Sequence, residues 1–197
     1  MRVTTIRHGE TEWNVARRIQ GSQDIELNQM GLSQAECLAV RLAEEPCDII
    51  YSSDLLRARK TAEIINSRHN AELITTPYLR EASFGKFEGL YIDDIKQQAA
   101  FGEYMDRYIP LFFAKVNEYL EVILRGGHEN IFIVAHHVTI QAVICYLLGL
   151  STRQRMHYPI GNTGIHTFEK EGDGEFVLVL ENDTAHLDGL KQVVSSV

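Results

Sequence analysis

Ile131-Phe132-Ile133-Val134-Ala135, running directly into His136-His137, is the most strand-like stretch of the chain and decides its fold class. A short apolar run rich in β-branched residues suits a strand buried on both faces. Working outward, the residues after it read as a helix through Leu148. The residues before it, Ile109, Phe112, Phe113, Val116, Leu120 and Ile123, recur at helical spacing and stop at Gly126-Gly127. Nearer the N-terminus, Val3–Ile6, Asp48–Tyr51 and Glu72–Thr75 read as strands. One helix face between them is Leu32, Ala35, Leu38, Ala39 and Leu42, followed by Pro46; another is Leu55, Ala58, Ala62 and Ile65, with Asp54 as its candidate cap. Leu90–Ala100 reads as helical, and Gly164–Phe168 and Phe176–Leu180 as two late strands.

Strands alternating with helices predict an α/β protein, a three-layer sandwich in which a mainly parallel sheet carries helices on both faces. The 197 residues contain no repeat, linker or low-complexity tract, so one domain over residues 1–197 is expected. Glycine and proline together number 18, and 45% of residues are hydrophobic, which excludes a disordered or collagen-like chain. The longest apolar runs, Ile131–Ala135 and Ala142–Leu148, are core-sized, far short of the roughly 18–20 residues of a membrane helix. The formal charge of −8 argues against a nucleic-acid partner, while leaving room for a few arginines to form a locally positive pocket. Three cysteines without a Cys-x-x-Cys pair, and no signal-peptide pattern after Met1-Arg2, predict a cytoplasmic protein. Nothing in the sequence specifies an oligomeric state.

In a parallel sheet, ligands bind beyond the carboxyl ends of the strands. Three predicted strands end in polar residues: Arg7-His8-Gly9-Glu10-Thr11, Ser52-Ser53-Asp54 and His136-His137. An imidazole at such a position can be a nucleophile, an acid–base group or a metal ligand. An arginine beside it offers a planar donor fork suited to phosphate oxygens. On pattern alone each residue also has a plain reading. Arg57 shares a charged helix with Arg59 and Lys60, Glu81 could pair with Arg80, Asn14 and Gln20 are loop polar residues, and Trp13 reads as packing. His69, His128, His157, His166 and His186 read as surface or structural histidines.

Arg7-His8-Gly9-Glu10-Thr11, then Trp13-Asn14 and Gln20-Gly21, resembles the histidine phosphatase superfamily, the phosphoglycerate mutase-like group. The resemblance continues in order through Leu27, Gly31 and Gln34-Ala35, then Ser52-Ser53-Asp54-Leu55-Leu56-Arg57-Ala58 with Thr61-Ala62. It extends to Leu79-Arg80-Glu81 with Gly85 and Phe87-Glu88-Gly89, to His136, and to Asn182-Asp183-Thr184-Ala185-His186-Leu187. It implies a phosphoglycerate mutase-like fold and a phosphomonoesterase working through a phosphohistidine. In that mechanism His8 attacks phosphorus, Arg7, Arg57 and His136 hold the phosphoryl oxygens, and Glu81 is the acid and then the base. Asn14, Gln20 and Gly21 would line the substrate side. The resemblance implies no metal and no cofactor, and a small phosphorylated metabolite as ligand.

The chain departs from that pattern twice. Glycine commonly follows the second histidine, with an arginine a few residues later; here the segment is His136-His137-Val138-Thr139-Ile140-Gln141. His137 therefore adds an imidazole at the pocket rim and implies an altered substrate preference. A Gly-Gly-Glu-Ser-like segment is missing before the long helix, since only about twenty residues separate Gly89 from that helix's apolar face. A shorter cover favours a phosphatase over mutase-type phosphoryl transfer, which needs water excluded. The rivals are a metallophosphatase, for which His-Glu-x-x-His and His-x-His are missing, and a non-catalytic binder of a phosphorylated ligand.

Overall fold

Side chains alternate across each central strand, so two different helix layers are packed on one sheet. A computed structural model describes residues 1–190; the last seven residues of the 1–197 span lie outside the described residues. The elements run β1 Arg2–Arg7, α1 Glu12–Val15, α2 Gln29–Leu42, β2 Ile49–Ser53, α3 Leu56–Asn66, β3 Glu72–Thr76, α4 Ile92–Ile95 and α5 Ala99–Leu124. They continue with β4 Asn130–Ala135, α6 His137–Leu147, β5 Ile165–Glu169 and β6 Val177–Asp183. Among the described residues the sheet has six strands in the order β3-β2-β4-β1-β5-β6. The neighbours β3-β2, β2-β4 and β4-β1 are parallel, and β5 and β6 join antiparallel.

In β4, Phe132 and Val134 join Ile6, Ile50, Leu38 and Leu42 of α2, and Ala58 and Ile65 of α3, in one cluster. The alternate residues Ile131 and Ile133 join Val3, Ile49, Leu120 and Ile123 of α5, and Val143 of α6, in the other. Each such side chain taken fully from water contributes about 1.5–3 kcal/mol. The expected three-layer, mainly parallel architecture is thus the observed one. The parallel register levels Arg7 with Ala135, and Ser52 with Val134. His8, His136 and the start of α3 consequently emerge at one end of the sheet.

Two expectations are corrected. Asp54 does not cap α3; its carboxylate takes two bonds from the Arg80 guanidinium at 2.6 and 2.7 Å. A fork of charge-assisted bonds outweighs one cap bond, and Asp24, from a distant loop, accepts the Leu56 N–H instead at 2.7 Å. Leu90–Ala100 is not one helix, because residues 89–92 pair with 17–19. Gly89 N–H donates to Ile19, Ile19 N–H to Leu90 and Ile92 N–H to Arg17, which keeps Leu90 out of a helix and holds Tyr91 extended. Helix resumes only in α4 and again at Ala99, ten residues ahead of the apolar face that betrayed α5.

The turn after β1 is packed backbone to backbone on the start of α2. A Cβ on Gly9 would lie 2.5 Å from the Gly31 carbonyl oxygen, and one on Gly31 would collide with the Glu10 carbonyl. Gly31→Ala is therefore expected to lower stability by about 1–3 kcal/mol, an overpacking cost. Gly102→Ala, in α5 with open space around it, should raise stability by about 0.5–1 kcal/mol. Urea denaturation midpoints check both; equal effects would refute the close approach.

Candidate active site

His8 is 3% exposed and stands on the first turn beyond β1. Its Nδ1 lies 2.7 Å from the Gly9 carbonyl. A carbonyl can only accept, so Nδ1 carries the proton and Nε2 keeps its lone pair. Burial, and then the Arg57 and Arg7 charges, hold the His8 imidazole well below the ordinary histidine range. A neutral, oriented imidazole follows.

Arg57 is 0% exposed although its helix neighbours Arg59 and Lys60 are solvated. The loop before α2 explains its inward turn. Arg57 Nη1 donates to the Gln23 carbonyl at 2.6 Å and Nη2 to the Gly21 carbonyl at 2.9 Å. Its Nε donates to His136 Nδ1 at 3.2 Å. Burial brings the guanidinium down to about 10, still charged at neutral pH. The bond from Arg57 makes His136 Nδ1 an acceptor, so His136 Nε2–H donates to Ser53 Oγ at 2.8 Å. Burial and the same arginines keep His136 well below its ordinary value. The two imidazoles lie with centroids 5.1 Å apart and planes at 56°.

Glu81 does not pair with Arg80. Both of its carboxylate oxygens accept from Val138 N–H, at 3.1 and 3.2 Å, in the first turn of α6, and one accepts from Ala82 N–H. Burial raises its proton affinity above the usual carboxylate value, against the opposing pull of these N–H groups, Arg57 and Arg7. Thr139 Oγ1 donates to the Arg80 carbonyl at 2.8 Å, tying the same loop to α6.

These groups meet in a cavity of about 590 Å3. Eight of the nine residues singled out from sequence line it: Arg7, His8, Asn14, Gln20, Gly21, Arg57, Glu81 and His137. The ninth, His136, is fully buried beside His8 and does not line the cavity. Asn14 doubles as a cap, its Oδ1 accepting from Thr11 N–H and Oγ1–H. Gln20 Oε1 is buried without a partner. His137 donates a ring N–H to the Ile160 carbonyl, and burial brings it down to about 4.

Sequence reasoning missed several lining residues, among them Arg17, Arg18, Gln141 and Arg155, and it took Trp13 for packing. Gln141 was within reach, since it lies one helical turn beyond His137. Arg155 follows from no local pattern. His166 and His186 hold structural bonds, to the Pro159 carbonyl and Thr163 Oγ1. Among the described residues no group of three or more His, Cys, Asp or Glu could hold a metal ion, and no helix is long and apolar enough to cross a membrane.

A sequence profile described as the histidine phosphatase superfamily, branch 1, matches residues 3–184. A Hydrogenobacter thermophilus protein whose name proposes it as phosphoserine phosphatase 2 is 30% identical over 201 residues, covering 94% of this chain and 97% of that one. The phosphoserine phosphatase of Entamoeba histolytica, solved with 3-phosphoglyceric acid, superposes with a TM-score of 0.84 at 31% identity, over 94% of this chain and 98% of that chain. A mutant of the same phosphatase was solved with phosphoserine. The mycobacterial glucosyl-3-phosphoglycerate phosphatase, solved with VO3, has a TM-score of 0.83 at 25% identity, over 92% and 98% of the two chains.

The bonds around the two buried imidazoles predict opposite tautomers, Nδ1–H for His8 and Nε2–H for His136, both neutral at pH 6.5, where an unperturbed histidine is half charged. Nitrogen-15 histidine NMR reads both properties; an imidazolium signal from either ring at that pH would contradict the site's electrostatics.

Proposed function

This chain belongs to the histidine phosphatase superfamily, and from that premise we propose that it hydrolyses the phosphomonoester of a small metabolite through a phosphohistidine on His8. One observation carries the reading: His8 Nε2 is left unprotonated, in a cavity floored by two guanidiniums that have no carboxylate within ion-pair distance among the described residues. Phosphoryl transfer needs little from a protein beyond such positioning and charge.

The substrate dianion sits against Arg7 and Arg57. His8 Nε2 attacks phosphorus as the ester P–O bond breaks, and Glu81, protonated, gives its proton to the leaving oxygen. The alcohol departs. Glu81, now ionised, takes a proton from water as that water attacks the phosphohistidine; the P–N bond breaks, inorganic phosphate leaves and His8 regains its lone pair. His136, expected from the resemblance to hold a phosphoryl oxygen, has its ring nitrogens taken by Arg57 and Ser53 and acts instead by orienting Arg57 through Nδ1. Asn14, Gln20, Gly21 and His137 face the leaving group. The pocket's charges suffice for these steps, so we read the enzyme as working without a metal or organic cofactor. Three free cysteines support a cytoplasmic setting.

Phosphate release from a panel of phosphomonoesters in chelator should persist in the wild type and vanish in His8→Ala. Loss on chelation, or interconversion of phosphoglycerates without release, would contradict the reading. Glu81→Gln should lower kcat/KM for alkyl phosphates by about 10²–10⁴-fold, and far less for p-nitrophenyl phosphate, whose leaving group needs no proton. An equal loss on both would remove Glu81 from the acid role. Because burial pushes His8 down and Glu81 up, kcat/KM should peak on the acidic side. It should fall at lower pH as His8 takes a proton and at higher pH as Glu81 loses one.

A further inference from the structure

Beyond the phosphoryl floor, the cavity has two walls of different electrical character. One carries Arg17 and Arg18, and both are occupied. Arg17 makes two bonds to Asp93 at 2.9 and 3.2 Å. Arg18 donates to the Gly89 carbonyl and the Tyr91 hydroxyl, and stacks 4.3 Å from the Tyr91 ring centroid. The other is formed by His137 and Gln141 of α6 and by Arg155 and Met156 of the Thr152–His157 turn that follows, with Gln141 Nε2 within 3.7 Å of Met156 Sδ.

His137 is neutral on this wall, and Gln141 Nε2 is occupied at 3.2 Å by His137 Nε2. Arg155 is therefore its one cation among the described residues. Its Nη1 donates to the Thr152 carbonyl at 2.8 Å, and no carboxylate of the described residues lies within ion-pair distance. The rest of the guanidinium fork is left for a ligand.

The segment that carries Arg155 is braced against the floor. Ser151 N–H and Oγ–H both bond Gln154 Oε1, at 3.0 and 2.8 Å. At the segment's far end the Ile160 carbonyl accepts from Arg7 Nη1 at 2.8 Å and from the His137 ring. The group that holds the phosphoryl oxygens and the segment that presents Arg155 are thus tied at one carbonyl. The sequence also reads Val138-Thr139-Ile140-Gln141 after His137, with no arginine among them, where the family pattern has one a few residues beyond the second histidine. Arg155 brings a guanidinium to the same wall from the next segment.

We propose that Arg155 receives a carboxylate carried by the leaving group, so that the enzyme prefers phosphate esters of hydroxy acids to those of the matching alcohols. This rests on the phosphomonoesterase reading above. With Arg7 and Arg57 engaged by the phosphoryl group, the freest remaining guanidinium of the lining is that of Arg155, since Arg17 is neutralised by Asp93 and Arg18 is engaged by the Gly89 carbonyl and by the hydroxyl and ring of Tyr91. The interaction is a charge-assisted, partly buried fork, strong enough to set preference and remote enough to leave the chemical step unchanged.

Two matched pairs test it: O-phosphoserine against O-phosphoethanolamine, and 3-phosphoglycerate against glycerol 3-phosphate, each differing by the carboxylate. The wild type should favour the carboxylate member of at least one pair. Arg155→Gln should lower kcat/KM for that member by about ten- to a hundredfold, through KM with kcat held, and change its partner less than about twofold. Arg155→Lys should recover part of the loss, as a point charge without the fork. Equal losses on both members would make Arg155 a structural residue and overturn the proposal. So would hydrolysis of p-nitrophenyl phosphate with no preference within either pair, an outcome that leaves the phosphatase reading standing. No hydrolysis of any ester would overturn both.

Discussion

The catalytic end of the sheet is governed by positive charge held out of water, with no carboxylate of the described residues within ion-pair distance of Arg7 or Arg57. Arg57 is fully buried and bonded to two carbonyls and an imidazole, all uncharged partners. Arg7 lends Nη1 to the Ile160 carbonyl and leaves Nε buried without a partner. Burying cations this way is unfavourable by itself, and a phosphate dianion is the ligand that relieves it. The same charges keep protons off His8 and His136. One field thus attracts the substrate and keeps the nucleophile unprotonated.

Glu81 escapes that field's full effect because it is buried, which raises its proton affinity while the arginines lower it. Its carboxylate also serves as the cap that α6 otherwise lacks, since His136 makes no side-chain cap bond. Acid–base work and helix termination are therefore one contact. A second carboxylate plays a purely architectural part. Glu88 accepts from Ser22 N–H and Oγ–H, Gln23 Nε2–H and Phe84 N–H, and so clamps the loop whose carbonyls hold Arg57. Gly21 makes that clamp possible: its φ is +52° and a Cβ there would collide with the Glu88 carboxylate.

Much of this was legible in the sequence. Buried strands such as Ile131–Ala135 announce themselves, and polar residues at their carboxyl ends mark where a parallel sheet binds ligands. Arg7, His8, His136 and the turn toward Arg57 could be located that way, and the ordered motifs added Glu81. What stayed hidden depends on contacts between distant segments. Asp54 looked like a cap because its rival partner, Arg80, is 26 residues away. Leu90 and Tyr91 looked helical because their pairing with residues 17–19 leaves no local trace. Arg155 reaches the cavity through the packing of its turn on α6, which no periodicity encodes. Whether an arginine faces solvent or a pocket is decided by neighbours far along the chain.

The chemistry proposed for this site requires a covalent bond between His8 Nε2 and phosphorus. Mixing Glu81→Gln enzyme with a good-leaving-group phosphomonoester, quenching in alkali and sequencing by mass spectrometry tests it most directly. Without the base that activates water, a phosphoryl group should accumulate on the peptide containing His8, on the ring nitrogen not bonded to Gly9. Turnover with no phosphorylated peptide, or with the phosphoryl group on another residue, would contradict it.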